Sequence, residues 1–173
     1  IMDGNGRWAR DRGLPRHMGH REGMKSVREA IEGAVDSGVD ILTLFAFSTE
    51  NWSRPEQEVS ALMGLLQLYA KKEGAELQRR GVEVQVLGDL ERIDTPTRSA
   101  VDAIVSKTRG GGALRLNLMI SYGGREEIVR AARILAERVA QGLLVAEDID
   151  EDELAGALFT QGVPNPDLLI RTS

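Results

Sequence analysis

Val39-Asp40-Ile41-Leu42-Thr43-Leu44-Phe45-Ala46-Phe47 decides the fold class. An apolar run broken mainly by Asp40 and Thr43 suits a strand buried on both faces, as in a parallel sheet flanked by helices. Before it, Met24, Val27, Ile31, Ala34 and Val35 recur at helical spacing, and Ser37-Gly38 stops that helix. After it, Ser53 as cap and Pro55 in the first turn open a second helix. Its stripe is Val59, Leu62, Met63, Leu66, Tyr69 and Ala70; Leu65 and Leu68 widen the apolar surface, and the helix ends near Gly81. Val82, Val84 and Val86 alternate with Glu83 and Gln85 as a strand does.

Farther on, the pattern predicts a helix over 96–109, a strand from Leu114 to Ser121, and a helix carrying Ile128, Ala131, Ala132, Leu135 and Val139. Asp150 with Glu153 reads as a capping box for a helix through Leu158, and Asp167 to Arg171 as a final strand. At the other end, Ile1-Met2 reads as the close of a strand. Residues 3–18 read as a loop, with Gly4, Gly6, Gly13, Pro15 and Gly19 as breakers. The alternation predicts a single α/β domain over 1–173, its mostly parallel central β-sheet flanked by helices. Ligands of such sheets bind beyond the carboxyl ends of the strands.

Composition narrows the function. The chain has 173 residues and no cysteine, which excludes disulfide scaffolds, thiolate metal sites and cysteine nucleophiles, and fits a reducing, cytoplasmic compartment. With His17 and His20 the only histidines, a structural zinc site is not expected. A net charge of −5 argues against a general nucleic-acid binder. No window is long and apolar enough for a membrane span, and no secretory signal is visible. The opening at Ile1 predicts that the numbering begins inside a longer protein. Arg7, Arg10, Arg12, Arg16 and Arg21 crowd the first stretch, a concentration expected where a protein meets a local anion; a solvated charged surface is the plainer alternative.

Three strand-end segments carry functional groups. In Met2-Asp3-Gly4-Asn5-Gly6-Arg7-Trp8-Ala9, glycines flank Asn5, so successive N–H groups can form a nest for phosphate oxygens, with Arg7 and Arg16 adding charge-assisted bonds. Asp3 would repel that phosphate unless a cation lay between them, which suggests Mg2+. On spacing alone a plain Asp-Gly or Asn-Gly turn is the simpler account. Phe47-Ser48-Thr49-Glu50-Asn51-Trp52-Ser53-Arg54-Pro55 packs hydroxyls, a carboxylate, an amide, an indole and a guanidinium together. A helix start explains Ser53 and Pro55 but leaves Glu50, Asn51 and Trp52 without a role. Leu169-Ile170-Arg171-Thr172-Ser173 delivers an arginine at the end of an apolar strand, which alone means little.

Taken in order, M-D-G-N-G-R-W-A, R-x-x-G-H across Arg16 to His20, F-S-T-E-N-W-x-R-P, Y-G-G-R and L-I-R-T-S resemble the undecaprenyl diphosphate synthases, the cis-prenyltransferase family, over essentially the whole chain. The resemblance implies condensation of isopentenyl diphosphate with an allylic prenyl diphosphate, farnesyl diphosphate by family habit. The product it implies is a long polyprenyl diphosphate such as the undecaprenyl carrier precursor for cell-wall glycans. It implies Mg2+, a homodimer and at most peripheral membrane contact. Asp3 becomes the catalytic aspartate that engages Mg2+ and diphosphate. Gly4, Asn5, Gly6 and Arg7 cradle the allylic diphosphate, helped by Arg16 and His20, with Trp8 beside that pocket. Ser48, Thr49 and Glu50 form part of the substrate site, Trp52 and Arg54 lie next to them, and Arg171 holds the isopentenyl diphosphate. Asn51 is the residue the family assigns to proton removal; a neutral amide is a weak base, so orientation or a relay is expected of it. The paired D-D-x-x-D motifs of the trans-type synthases are absent.

An apolar tunnel is expected between sheet and helices, walled by the helix at 59–70 and by Leu114, Leu116, Leu118 and Ile120, with Leu114 near its floor. Ordinary core packing is the alternative for each position taken singly. The family continues beyond R-T-S with Gly-Glu, further arginine and serine, and an Asn-Phe-Leu-Leu-Trp segment, so a chain ending at Ser173 is expected to turn over little. The rival readings are a non-catalytic partner subunit, which the intact Asp3 to Arg7 disfavours, an α/β enzyme acting on nucleotides or sugar phosphates, and a purely structural domain.

Overall fold

The structure, a computed structural model, describes residues 3–171. Its elements are α1 (Asn5–Arg10), α2 (Arg16–Asp36), β1 (Ile41–Ser48), a 3-10 turn (Thr49–Ser53), α3 (Glu56–Arg79), β2 (Val82–Leu87), α4 (Thr95–Thr108), β3 (Leu114–Tyr122), α5 (Gly124–Ala140) and α6 (Glu151–Ala157). Among the described residues the sheet runs β1–β3–β2, and both pairings are parallel. This is the expected α/β architecture, with β3 at the centre.

Strand alternation sends Leu44, Val82, Val84, Leu114 and Leu116 to one face. There they pack with Ile31 and Ala34 of α2, Leu77 of α3 and Ile104 of α4. Nearer the carboxyl ends of the strands, Phe47 and Ile120 join Met63 of α3, Val101 of α4 and Ile93. Thr43 is exposed while Leu44 and Phe47 are buried, so β1 is not covered on both faces among the described residues.

A register shift breaks the β1–β3 ladder between Phe45 and Ser48. Such a bulge re-aims the side chains that follow it. It brings both Ala46 and Phe47 to the helix-covered face and swings the chain into the 3-10 turn.

Several sequence expectations need correction. Residues 3–18 are not all loop: α2 already begins at Arg16 and runs through Gly19, which does not break it, and α1 forms because Gly19 gives it a seat that propensity alone does not supply. Ser53 does not cap α3; Pro55 holds the N-cap position, and the Ser53 hydroxyl donates to the Glu50 carbonyl inside the 3-10 turn. The capping box at α6 is half formed: the Asp150 carboxylate accepts from the Glu153 N–H, but the Glu153 side chain is drawn to Arg138. Asp167 to Arg171 has no strand assignment, and Leu168 and Leu169 are exposed rather than covered. The strand expected at Ile1-Met2, and Thr172 and Ser173, lie outside the described residues.

Candidate active site

Gly4 starts the site. Its φ of 85° is a left-handed conformation open to glycine, and it turns the chain from Asp3 into α1. The first N–H groups of a helix have no intrahelical acceptor, so those after Gly4 stay available to an anion. α1 sits tightly on α2: a Cβ built on Gly19 would stand 1.9 Å from the Asn5 carbonyl oxygen, and one on Gly23 2.6 Å from the Asn5 amide nitrogen.

Asp3 is the hub of the mouth. Its Oδ1 accepts from the Gly4 N–H at 2.7 Å, while Oδ2 lies 3.4 Å from Arg7 Nη2 and 3.1 Å from Arg171 Nη2. Two arginines from opposite ends of the chain thus meet one carboxylate. Across the mouth, Glu58 is held between Arg16 (3.3 Å) and Arg54 (2.9 Å). Sequence reasoning missed Glu58, although its i,i+4 spacing from Arg54 on the way into α3 was a usable signal.

His20, one turn beyond Arg16, has a buried Nε2 with no hydrogen-bond partner among the described residues. Burial, then the Arg54 charge, holds its imidazole below the ordinary value, with Glu58 opposing. A buried polar atom without a partner is an exception among folded proteins.

The 3-10 turn is closed by its own capping box. The Ser48 N–H donates to Asn51 Oδ1 at 3.1 Å, while the Ser48 side chain accepts from the Asn51 N–H. The Asn51 amide oxygen is therefore already engaged. Trp52 turns inward: its Nε1 donates to Ser121 Oγ at 2.9 Å, and its ring meets Phe47 edge-on. Ser121 is buried, with φ 52°, a strained setting for a non-glycine residue at the end of β3. Glu50 is exposed; its own backbone N–H, then the hydroxyls of Ser48 and Thr49, hold its carboxyl below the ordinary range.

The expected site residues therefore fall into groups. Asp3, Gly4, Asn5, Gly6, Arg7, Arg16, His20, Asn51 and Arg54 border one cavity of about 280 Å3. Arg171 reaches that border through Asp3. Trp8, Ser48, Thr49, Glu50 and Trp52 are outside the lining: Trp8 is exposed with the Arg12 guanidinium 4.4 Å over its ring. Beyond the mouth the cavity turns apolar, running between α2 and α3 over the sheet past Met24, Val27, Leu62, Leu66, Leu118 and Ile120. Leu116 lines it too. Leu114 does not: it is packed into the core with Val82 and Ile31, so it is not at the tunnel floor, and Leu68 points to solvent.

Among the described residues no three Asp, Glu or His side chains are grouped to hold a metal ion by themselves. Asp3, part-exposed at the mouth beside the arginines, fits the other mode of Mg2+ binding, in which one carboxylate acts with substrate phosphate oxygens and water. No helix among the described residues is long and apolar enough to cross a membrane.

The chain is similar to known proteins in sequence and fold. Residues 1–173 match the model of the prenyltransferase family described as undecaprenyl diphosphate synthase. The isoprenyl transferase of Agrobacterium fabrum is 50% identical over 173 residues, which make up 100% of this chain and 70% of that protein. The isoprenyl transferase of Clostridium perfringens is 48% identical over the same 173 residues, 68% of its length. Lavandulyl diphosphate synthase from Lavandula x intermedia, crystallised in complex with dimethylallyl diphosphate, is similar with a TM-score of 0.88 and 31% identity, covering 92% of this chain and 69% of that one. A probable undecaprenyl diphosphate synthase from Campylobacter jejuni is similar with a TM-score of 0.68 and 31% identity, covering 80% of this chain and 64% of the other.

Proposed function

The chain belongs to the undecaprenyl diphosphate synthase family of prenyltransferases, and on that premise we propose that it condenses isopentenyl diphosphate onto an allylic prenyl diphosphate to make a polyprenyl diphosphate with new cis double bonds. One observation carries the reading. A single cavity begins among Asp3 to Arg7, Arg16, His20 and Arg54 and continues as an apolar channel between α2 and α3. Such a cavity matches a substrate with an anionic head and a hydrocarbon tail.

In this reading Gly4 to Arg7, Arg16 and His20 take the allylic diphosphate, and the tail enters the channel. The orphaned Nε2 of His20 supplies or accepts the hydrogen bond that burial otherwise denies it. Arg171, tied to Asp3, brings the isopentenyl diphosphate within reach of the allylic carbon. Holding two like-charged heads together is costly, and the arginines around Asp3 and Glu58 offset that repulsion. Mg2+ held by Asp3 and diphosphate oxygens would neutralise charge on the leaving group when bound.

The allylic C–O bond breaks with its electron pair leaving on the diphosphate, while Arg7, Arg16 and backbone N–H groups stabilise that charge. The isopentenyl double bond supplies the pair for the new C–C bond. Loss of a proton then leaves the new double bond. Asn51 is a poor acceptor for that proton, since its amide oxygen already accepts the Ser48 N–H; its role is to hold the turn, and the proton leaves to a diphosphate oxygen or water. Trp52 and Ser48 act through the same turn, Thr49 and Glu50 border it, and Trp8 flanks the diphosphate end from outside the cavity. Homodimerisation belongs to the same reading; the exposed apolar side chains of Ile128 and Val129 on α5 support it.

The test is incorporation of labelled isopentenyl diphosphate with farnesyl diphosphate, with and without Mg2+, by the full-length protein and by Asp3→Ala. Magnesium-dependent polyprenyl products that vanish in Asp3→Ala support the reading. No incorporation by a folded full-length protein refutes it.

A further inference from the structure

Three ion pairs join α2 to α3 and its C-cap: Arg16 with Glu58 at the mouth, Arg28 with Glu73 deeper down, and Glu32 with Arg80 at the far end. Arg16 and Arg28 are twelve residues apart on α2, about 18 Å at the rise of an α-helix. Glu58 and Glu73 are fifteen apart on α3, about 22 Å on the same rise. Both helices start at the mouth and run down the sheet, so the first two pairs close the seam along the channel at its top and near its bottom, and the third lies beyond it. Between the first two the lining is apolar.

Glu73 breaks that pattern. Among the described lining residues it is the one charged side chain away from the mouth. Its side chain is 15% exposed, whereas that of Arg28 is 49% exposed, so the pair straddles the wall between channel and solvent. Tyr69, one turn nearer the mouth, also lines the channel; burial and then the Glu73 charge push its hydroxyl above the ordinary value. Past Glu73 the channel ends against Ile31, Leu77 and Ile104, which are buried members of the main core.

We propose that the Arg28–Glu73 pair is a side latch on the channel and sets the chain length at which elongation first stalls. This inference rests on the prenyl-transfer reading. An isoprene unit adds four backbone bonds of about 1.5 Å, or about 5 Å of zigzag length. The distance from mouth to latch then holds about four units. A longer chain must displace either the floor or the latch. The floor is close-packed core, which resists any change of volume. The latch is an ion pair half open to water, the weaker of the two. It still opposes a hydrocarbon, because a chain lying on Glu73 strips water from the carboxylate.

The experiment compares product ladders of the full-length protein, Glu73→Gln, Arg28→Gln and the exchange Arg28→Glu/Glu73→Arg, with labelled isopentenyl diphosphate and a farnesyl starter. The parent is expected to show a build-up of products just beyond about four units, the length set by the helix rise. Each single variant should reduce that build-up at least threefold in favour of longer chains, and the exchange should restore it. Total incorporation serves as the control, since a merely structural defect lowers all products together. A productive parent whose ladder is unchanged in both single variants overturns the latch and leaves the prenyl-transfer reading standing. A folded parent that makes no polyprenyl product overturns both.

Discussion

Gly19→Ala tests whether the seat of α1 on α2 positions the diphosphate site. The new Cβ would stand 1.9 Å from the Asn5 carbonyl oxygen and 3.1 Å from the Ala9 Cβ. A carbon and a carbonyl oxygen need about 3.3 Å, so α1 must withdraw by about 1.4 Å. Overpacking of this kind costs about 1–3 kcal/mol. The better helix propensity of alanine returns about 1 kcal/mol. The net destabilisation is then about 0–2 kcal/mol by urea titration, with the slope unchanged. The larger effect should be on activity, because a misplacement of about 1 Å in a positioning element costs about a hundredfold. That loss should appear in kcat/KM for the allylic substrate. Gly33→Ala is the matched control. It lies on the same helix, and a Cβ added there would meet nothing within 4 Å, so only propensity acts. It should gain up to about 1 kcal/mol and keep its activity. A parental kcat/KM for the allylic substrate in Gly19→Ala would refute the reasoning.

Burial and Arg54 hold the His20 imidazole below its ordinary value, so below that value the unfolded chain binds more protons than the folded one. The His20 contribution to stability is therefore full above about pH 6.5 and is lost as the pH falls through the folded value; His20→Gln should flatten the acid side of the stability profile in urea titrations from pH 8 to about 5. Trp52→Phe keeps the ring beside Phe47 but removes the donor to Ser121 Oγ. It should lose about 1–2 kcal/mol, and a neutral result would show that the bond does not hold the turn to β3. Tyr122→Phe strips a 2.6 Å donor from the buried Glu127, whose other oxygen accepts the Phe159 N–H. A loss of about 2 kcal/mol is expected, partly recovered in the double variant with Glu127→Gln when a thermodynamic cycle is closed.

The parallel sheet was legible because β2 and β3 alternate cleanly and β1 is a continuous apolar run. The stripes of α2 and α3 were legible for the same reason. α1 was not, since Gly4, Gly6 and Gly13 read as breakers while its support is tertiary. The clue was the Gly19 and Gly23 pair at i,i+4 on the facing helix, where a contact needs small residues. Trp52 was illegible in another way: its indole is tied to Ser121, a residue sixty-nine positions later, and no local pattern encodes that bond. The meeting of Asp3 with Arg171 spans 168 positions, and no periodicity encodes it. The family resemblance suggested those residues for one site, and the fold brings them into contact.

The apolar channel is a departure from good packing. If dry, a cavity of about 280 Å3 forgoes about 7 kcal/mol at the rate measured for engineered cavities. That is comparable with the whole net stability of an ordinary domain, roughly 5–15 kcal/mol. The chain spaces α2 and α3 by crossing the seam with ion pairs at three levels and by closing only its far end with Ile31, Leu77 and Ile104. Collapse onto the sheet would gain packing but would bring Arg28, Glu73, Arg16 and Glu58 toward the same apolar surface, where unpaired charge is costly. The same side chains that mark the ends of the channel thus keep it open. A prenyl tail that fills it recovers the forgone contacts, so tail length becomes a source of affinity as well as a product property.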